Sequence, residues 1–329
     1  MRATLLLSRQ DLSRLLDPAS VIQAVEQGFR AYSRGDTVTP VRIQLELPDR
    51  HDVLLVMPCA VREPAALGTK LAAVYRGNAA RGLPTVPSVY LLSDPDTGLP
   101  LAAMDGTYLT AIRTAAASAV ATRVLARSDS EVLGIFGTGT LAEFHLRVLP
   151  VVRAFHRALV KGRTTEAAQR FVERLRADVP LDLRVAASAD EVAAQADVIV
   201  TATTALEPLF DGRLVRPGTH VNAVGAFTPT TREVDGRLVA RAILVADTHA
   251  GVRAEAGDLL LAIAEGAVGP EHLQAELGEI LLGVKPGRRS ADDITLFESV
   301  GAAFEDAVTA RLAYERARAQ AIGTPFSFW

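Results

Sequence analysis

The sequence predicts an α/β protein in which a doubly wound parallel sheet is joined to a second, α+β domain. Three observations carry this prediction. From about residue 131, continuous apolar runs alternate with helical segments, as in a parallel sheet covered on both faces. Between Val41 and Leu92 the apolar runs are short and broken by Pro, Gly and Asp, as in a largely antiparallel sheet. The chain also has 329 residues, 49% of them apolar, which is too long for one small core.

The elements follow in order. Residues 17–35 read as a helix capped by Asp17, with Pro18 in its first turn, apolar residues at Val21, Val25 and Phe29, and Gly35 at its end. "RIQLEL", "VLLVMP", "TKLAAVY" and "SVYLLSD" read as strands. "DGTYLTAIRTAAASAVATRVLA" (105–126) reads as a long helix with no breaker in its body. Then come the parallel strands "EVLGIFGTG", "RALVKG", "LRVAAS", "ADVIVTAT", "HVNAVG" and "AILVAD". The C-terminal "GAAFEDAVTARLAYERARA" is helical and is expected to pack back on the first domain. These readings place one domain at 1–113 with 303–329 and the parallel-sheet domain at 114–302.

Several classes are excluded. A formal net charge of −3 gives no basic excess for nucleic acid and no acidic tail. Cys59 is the only cysteine, so no intramolecular disulfide forms and a reducing cytoplasm is expected. The N-terminal "TLLL" is interrupted by Arg9, Asp11 and Arg14, which predicts neither signal peptide nor membrane anchor. His51, His145, His156, His220, His249 and His272 show no ligand spacing, so no metal site is expected.

"VLGIFGTGTLAEFHLRVL" (132–149) carries the cofactor signal. A strand ends at Gly137-Thr138-Gly139, and Ala142 takes the third small position of G-x-G-x-x-A. The first glycine permits the tight turn, the second lets backbone approach a pyrophosphate, and the third small residue packs the helix close. That context predicts a Rossmann-type dinucleotide domain. The next strand lacks the acidic residue that accepts from an NAD ribose, and ends in Lys161, Gly162, Arg163, Thr164 and Thr165. Two cations and hydroxyls suit a 2′-phosphate, so NADP(H) is expected, with NAD(H) and merely solvated charges as the alternatives. Thr203, at a later strand end, is expected either to line the nicotinamide ribose or to be a buried strand threonine.

Arg42, "GTK" (68–70), "GLPTVPS" (82–88), "TAIRTAA" (110–116), the Gly137–Ala142 turn, "NAVG" (222–225) and "DDITLFESVG" (292–301) occur in an order that resembles the ornithine cyclodeaminase/μ-crystallin family over essentially the whole chain. The resemblance implies a homodimer, with amino-acid or imine substrates at an interdomain cleft. Position by position it implies that Arg42, Lys70 and Arg113 bind substrate and that Val300 touches it. It implies cofactor contacts at Thr85, Thr140, Leu141, Thr203, Ala223, Val224 and Ser299. The cations also make chemical sense: an arginine fork matches a carboxylate, and a lysine among apolar neighbours can exchange protons. Gly68 is expected to allow close approach to Lys70.

The chain departs from the cyclodeaminases at two acids. Phe227 stands where they carry an aspartate, at what reads as the most exposed corner of "VNAVGAFTPTTREVD", and Leu55 stands where they carry a glutamate. Without those carboxylates a diamine loses its ion partners, and ornithine cyclisation is not expected. Reducing a cyclic imine carboxylate needs less: an anchored carboxylate, a protonated imine and a hydride. The expectation is an NAD(P)H-dependent reductase of Δ1-pyrroline-2-carboxylate or Δ1-piperideine-2-carboxylate, with Lys70 catalytic, Phe227 over the ring, and no anionic side chain replacing the missing aspartate. The alternatives are an alanine or amino-acid dehydrogenase, then a cyclodeaminase, or a crystallin-like binding protein.

Overall fold

Polar caps start the first two helices. Ser8 and Asp11 form a reciprocal capping box at α1 (Arg9–Leu15), and Asp17 accepts from the Ser20 amide at the head of α2 (Pro18–Ser33). The computed structural model describes residues 3–48 and 52–328, so His51 lies outside it. β1 (Thr4–Leu7) precedes α1, and β2 (Thr37–Val38) and β3 (Ile43–Glu46) follow α2. Arg42 sits immediately ahead of β3. β4 (Val53–Val61), β5 (Ala66–Val74), β6 (Ser88–Ser93) and β7 (Pro100–Asp105) then pair antiparallel in sequence. α3 (Gly106–Leu125) follows directly.

The chain divides into two compact units, Met1–Arg113 with Ala302–Trp329, and Thr114–Gly301. In the second, β8 (Val132–Phe136), α4 (Thr140–Val148), β9 (Arg157–Lys161), α5 (Thr165–Leu175), β10 (Asp182–Val185), α6 (Ala189–Gln195) and β11 (Val198–Thr201) alternate strictly. β12 (His220–Ala223), α7 (Gly236–Arg241), β13 (Ala242–Ala246), α8 (His249–Glu255), α9 (Gly257–Ala264), β14 (Leu273–Glu276), α10 (Leu277–Leu281) and β15 (Ile294–Glu298) complete it. All its strand pairs are parallel, in the order β10-β9-β8-β11-β12-β15-β13-β14. The first strand, β8, has β9 on one side and β11 on the other. That reversal is the switch point at which doubly wound sheets bind ligands, at the carboxyl ends of the strands. Phe136, Val221, Leu238, Leu259 and Leu296 belong to the apolar core of this unit.

The chain returns to the first unit through α11 (Ala303–Gln320) and β16 (Thr324–Phe326). The first unit's sheet runs β16-β1-β7-β6-β5-β4-β2, with β3 also paired to β4. α11 packs against β4, β5 and β6 and against α2, where Phe304 meets Phe29 edge-on at 5.1 Å. Covering one face of an antiparallel sheet sorts its strands into alternating buried and open residues.

Candidate active site

That alternation places Lys70. Along β5, Gly68, Lys70 and Ala72 are buried, whereas Leu71 is exposed. Lys70 is 2% exposed and lies opposite Met57 and Tyr90 on the adjoining strands. Its Nζ donates to Asp306 Oδ2 at 2.7 Å. Arg113 is also buried; it donates from Nε to the other Asp306 oxygen at 3.0 Å and from Nη1 to Glu305 at 3.0 Å. Glu305 accepts from the Ala302 amide as well, at 2.7 Å. Two cations and two carboxylates, all buried, therefore cancel in formal charge.

Burial first, then the Arg113 charge and lastly Arg42, push the Lys70 ammonium down to about 8, against the upward pull of Asp306. Arg42 is half-buried and, through this influence, shares the electrostatic neighbourhood of Lys70 and Arg113. Burial alone would lower the Arg113 guanidinium; the Asp306 and Glu305 carboxylates more than reverse that and raise it. Burial raises the Glu305 carboxyl.

Asp306 and Glu305 thus stand directly on the cations. One expectation is corrected here. The space beside Gly68 does not serve approach to Lys70: a Cβ there would lie 2.5 Å from the Tyr90 hydroxyl, so the glycine makes room for that ring. Neither Glu305 nor Asp306 was among the residues the sequence singled out. Thr85, in the same unit, is exposed, and its carbonyl accepts from the Tyr75 amide at 2.9 Å.

In the second unit the Gly-rich turn has the shape its spacing predicts. Gly137 has φ +117°, and a Cβ on it would meet the Ala202 carbonyl oxygen at 2.5 Å. Gly139 is the N-cap of α4 and supplies no side-chain cap. Nothing lies within 4 Å of the position its Cβ would take. Thr140 is exposed, Leu141 half-buried and Ala142 fully buried. An uncapped helix head with open space before it fits a pyrophosphate. At the end of β9, Lys161 Nζ donates to the Ala187 carbonyl at 3.4 Å. Arg163 and Thr164 are exposed, and Thr164 also caps α5 through the Ala167 amide at 3.2 Å.

The remaining residues end neighbouring strands. Ala223 and Val224 are buried at the end of β12. Ser299 is buried, with its amide on the Ala223 carbonyl at 3.0 Å and its hydroxyl donating to Asp247 at 3.1 Å. The Thr203 hydroxyl donates to Glu233 at 2.6 Å and accepts from the Ala205 amide at 3.1 Å. Val300 belongs to the apolar core of this unit, and Phe227 packs against that core. Phe227 is half-buried, and Pro229 and Thr230 are the exposed tip, which corrects the expectation of an exposed phenylalanine corner. Among the described residues, no group of three His, Cys, Asp or Glu side chains could hold a metal ion.

Comparison with known proteins adds to this geometry. The model of the ornithine cyclodeaminase/mu-crystallin family matches residues 2–321. The structure of Thermococcus litoralis Δ1-pyrroline-2-carboxylate reductase in complex with NADH and L-proline superposes with a TM-score of 0.95 at 41% identity, covering 98% of this chain and 99% of that one. An archaeal alanine dehydrogenase dimer with bound NAD superposes at 0.92 with 34% identity, covering 99% of each chain. Ketimine reductase mu-crystallin of Mus musculus is 37% identical over 318 residues, 95% of this chain and 97% of its own.

Proposed function

The chain belongs to the ornithine cyclodeaminase/mu-crystallin family, and on that premise we propose that it reduces small cyclic imino acids, Δ1-pyrroline-2-carboxylate or Δ1-piperideine-2-carboxylate, to L-proline or L-pipecolate. Buried Lys70, lowered to about 8 and gripped by Asp306, is the observation that carries the reading. An amine titrating there holds a proton at neutral pH and gives it up readily.

Gly137, Gly139 and Thr140 at the head of α4 would hold a reduced nicotinamide dinucleotide, which would supply a hydride to the imine carbon. Reduction also needs one proton at the imine nitrogen. Protonated Lys70 would donate that proton, while Arg42 and Arg113 would hold the carboxylate. Asp306 and Glu305 keep Arg113 in one orientation. Phe227 and Leu55 leave no carboxylate for the second amino group of a diamine, which favours a cyclic imine over ornithine.

The likeness to an archaeal alanine dehydrogenase favours a second reading, in which the imine forms from pyruvate and ammonia. A side-by-side assay separates the two. Dinucleotide oxidation with pyrroline-2-carboxylate at far higher kcat/KM than with pyruvate plus ammonia is expected, and the reverse order contradicts the proposal. Turnover on neither leaves the crystallin-like binding role.

For the cofactor, the related structures hold NADH or NAD. We read exposed Arg163 and Thr164, with no acid closing β9, as a site that also takes a 2′-phosphate and prefers NADP(H). The open face of the first unit's sheet supports a homodimer. Ile43, Val56, Leu71 and Val89 form one cross-strand apolar row, three of them exposed, with Leu91 and Leu6 exposed nearby in the register. Light scattering should give twice the chain mass; a monomer mass contradicts it. The single buried cysteine suits a reducing cytoplasm, and no helix among the described residues is long and apolar enough to cross a membrane. Secretion to an oxidising compartment, seen by fractionation, would contradict that location.

A further inference from the structure

Glu233 takes no part in the chemistry above, yet it is 1% exposed and accepts three hydrogen bonds from two separate loops. The Thr203 amide and hydroxyl both donate to Oε1 at 2.6 Å, and the Gly225 amide donates to Oε2 at 2.8 Å. Thr203 follows β11 and Gly225 follows β12, parallel neighbours whose last residues, Thr201 and Ala223, stand opposite each other. These strand ends lie just past the switch point, on the side away from β9 and β10. In a doubly wound sheet that is the half that holds the nicotinamide end of a dinucleotide.

The backbone that carries this side chain is fixed as well. The amides of Glu233 and Val234 donate to Asp258 Oδ1 at 2.7 and 2.8 Å, and the Glu233 carbonyl accepts from the Leu209 amide at 2.8 Å. Asp258 itself is fully buried in the first turn of α9. In front, Gly225 has no room for a side chain. A Cβ there would stand 2.6 Å from Glu233 Cδ and 2.4 Å from the Thr203 carbonyl oxygen. Burial pushes the Glu233 carboxyl up, and the bonds from Thr203 and Gly225 oppose that shift.

Only a carboxylate offers two acceptor-only oxygens to donors on both sides. A glutamine would turn an NH₂ toward one of the two loops and leave an amide unsatisfied. We propose that Glu233 is a positioning residue, fixing the Thr203 loop against the Gly225–Phe227 corner and thereby setting the face on which the nicotinamide ring lies for hydride transfer. The inference rests on the reading that this unit holds a nicotinamide dinucleotide.

Glu233→Gln tests it. NADH is anchored at the Gly137–Ala142 turn, so its Kd should stay within about threefold of wild type. Hydride transfer on pyrroline-2-carboxylate should slow by about 10- to 100-fold, the effect of a misplacement near 1 Å. The isotope effect with 4-deuterated NADH should increase as that step becomes limiting. Gly225→Ala displaces the same carboxylate without removing its charge and should show the same pattern; it carries the test if Glu233→Gln does not fold. Emission from bound NADH at matched occupancy should change in both variants, whatever the substrate. If wild type reduces no imine, the functional reading falls while this emission still reports ring placement. Unchanged emission, an unchanged rate and isotope effect, or equal loss of NADH affinity and rate would overturn the proposal.

Discussion

Lys70 and Asp306 form an ion pair at 2.7 Å, both fully or nearly fully buried, across 236 positions of sequence. The pair joins the middle of β5 to the first turn of α11. It also decides how tightly the lysine keeps its proton, because Asp306 is the group that opposes burial and Arg113.

A pH prediction follows with a definite sign. In the proposed role Lys70 acts in its protonated form, so its contribution to rate should be full well below about 8 and be lost as pH rises through that value. Asp306→Asn removes the upward pull and should move the alkaline limb of the kcat profile to lower pH. Lys70→Met should abolish the limb and lower kcat by about 10²- to 10⁴-fold. A profile with the same alkaline limb in all three proteins would assign the proton to another group.

Arg113 is predicted to matter for stability as well as for substrate. Arg113→Met leaves Glu305 and Asp306 buried with only Lys70 as counter-ion, and breaking such a pair costs about 3–5 kcal/mol. Urea unfolding should show that loss without a large change in m-value. A destabilisation below about 1 kcal/mol, the scale of an exposed pair, would contradict the buried arrangement.

The two glycines of the turn should behave differently. Gly137→Ala strains a left-handed backbone and meets the Ala202 carbonyl, so it should lower the melting temperature. Gly139→Ala meets nothing in the protein and should melt like wild type, but it fills the space before the head of α4. Its dinucleotide Kd should rise by about tenfold or more, about 1.4 kcal/mol. Normal binding in Gly139→Ala would place the pyrophosphate elsewhere.

Cofactor choice is separable by one side chain. Arg163→Ser should weaken NADPH by about 10- to 100-fold, the worth of a charged hydrogen bond, and leave NADH nearly unchanged. Fluorescence titration of both dinucleotides reads this directly. Equal effects on both would show that Arg163 does not touch a 2′-phosphate.

The parallel sheet is legible where its strands are largely apolar, as in β8, β11 and β13, and the Gly-rich turn marks the first crossover by spacing alone. β12, with buried His220 and Asn222, and the central β15, which the sequence offers only as a motif, are less plain. The edges are less legible. β14 reads "LQAE", a polar edge strand with Gln274 exposed, and β16 carries Pro325, which belongs only where a strand needs no inward N–H. β7 is rich in alanine, a weak strand signal. In the site, Arg113 stands out as a charge in an alanine-rich helix, whereas Lys70 is marked only by the family pattern. Their partners do not stand out, because Asp306 and Glu305 look like ordinary first-turn acids of a helix and meet Arg113 from 193 and 192 positions away. The only local hint is "AAFEDAVTA", two acids set in an otherwise small and apolar run. Glu233 is hidden for the same reason: its role comes from two loops that only the strand order brings together.

The most direct check of the central claim is a crystal structure of this protein with NADH and L-proline. The product carboxylate should lie on Arg42 and Arg113, with the ring nitrogen within hydrogen-bond distance of Lys70 Nζ. Proline bound with its carboxylate on other residues, and Lys70 still engaged by Asp306 alone, would contradict the account.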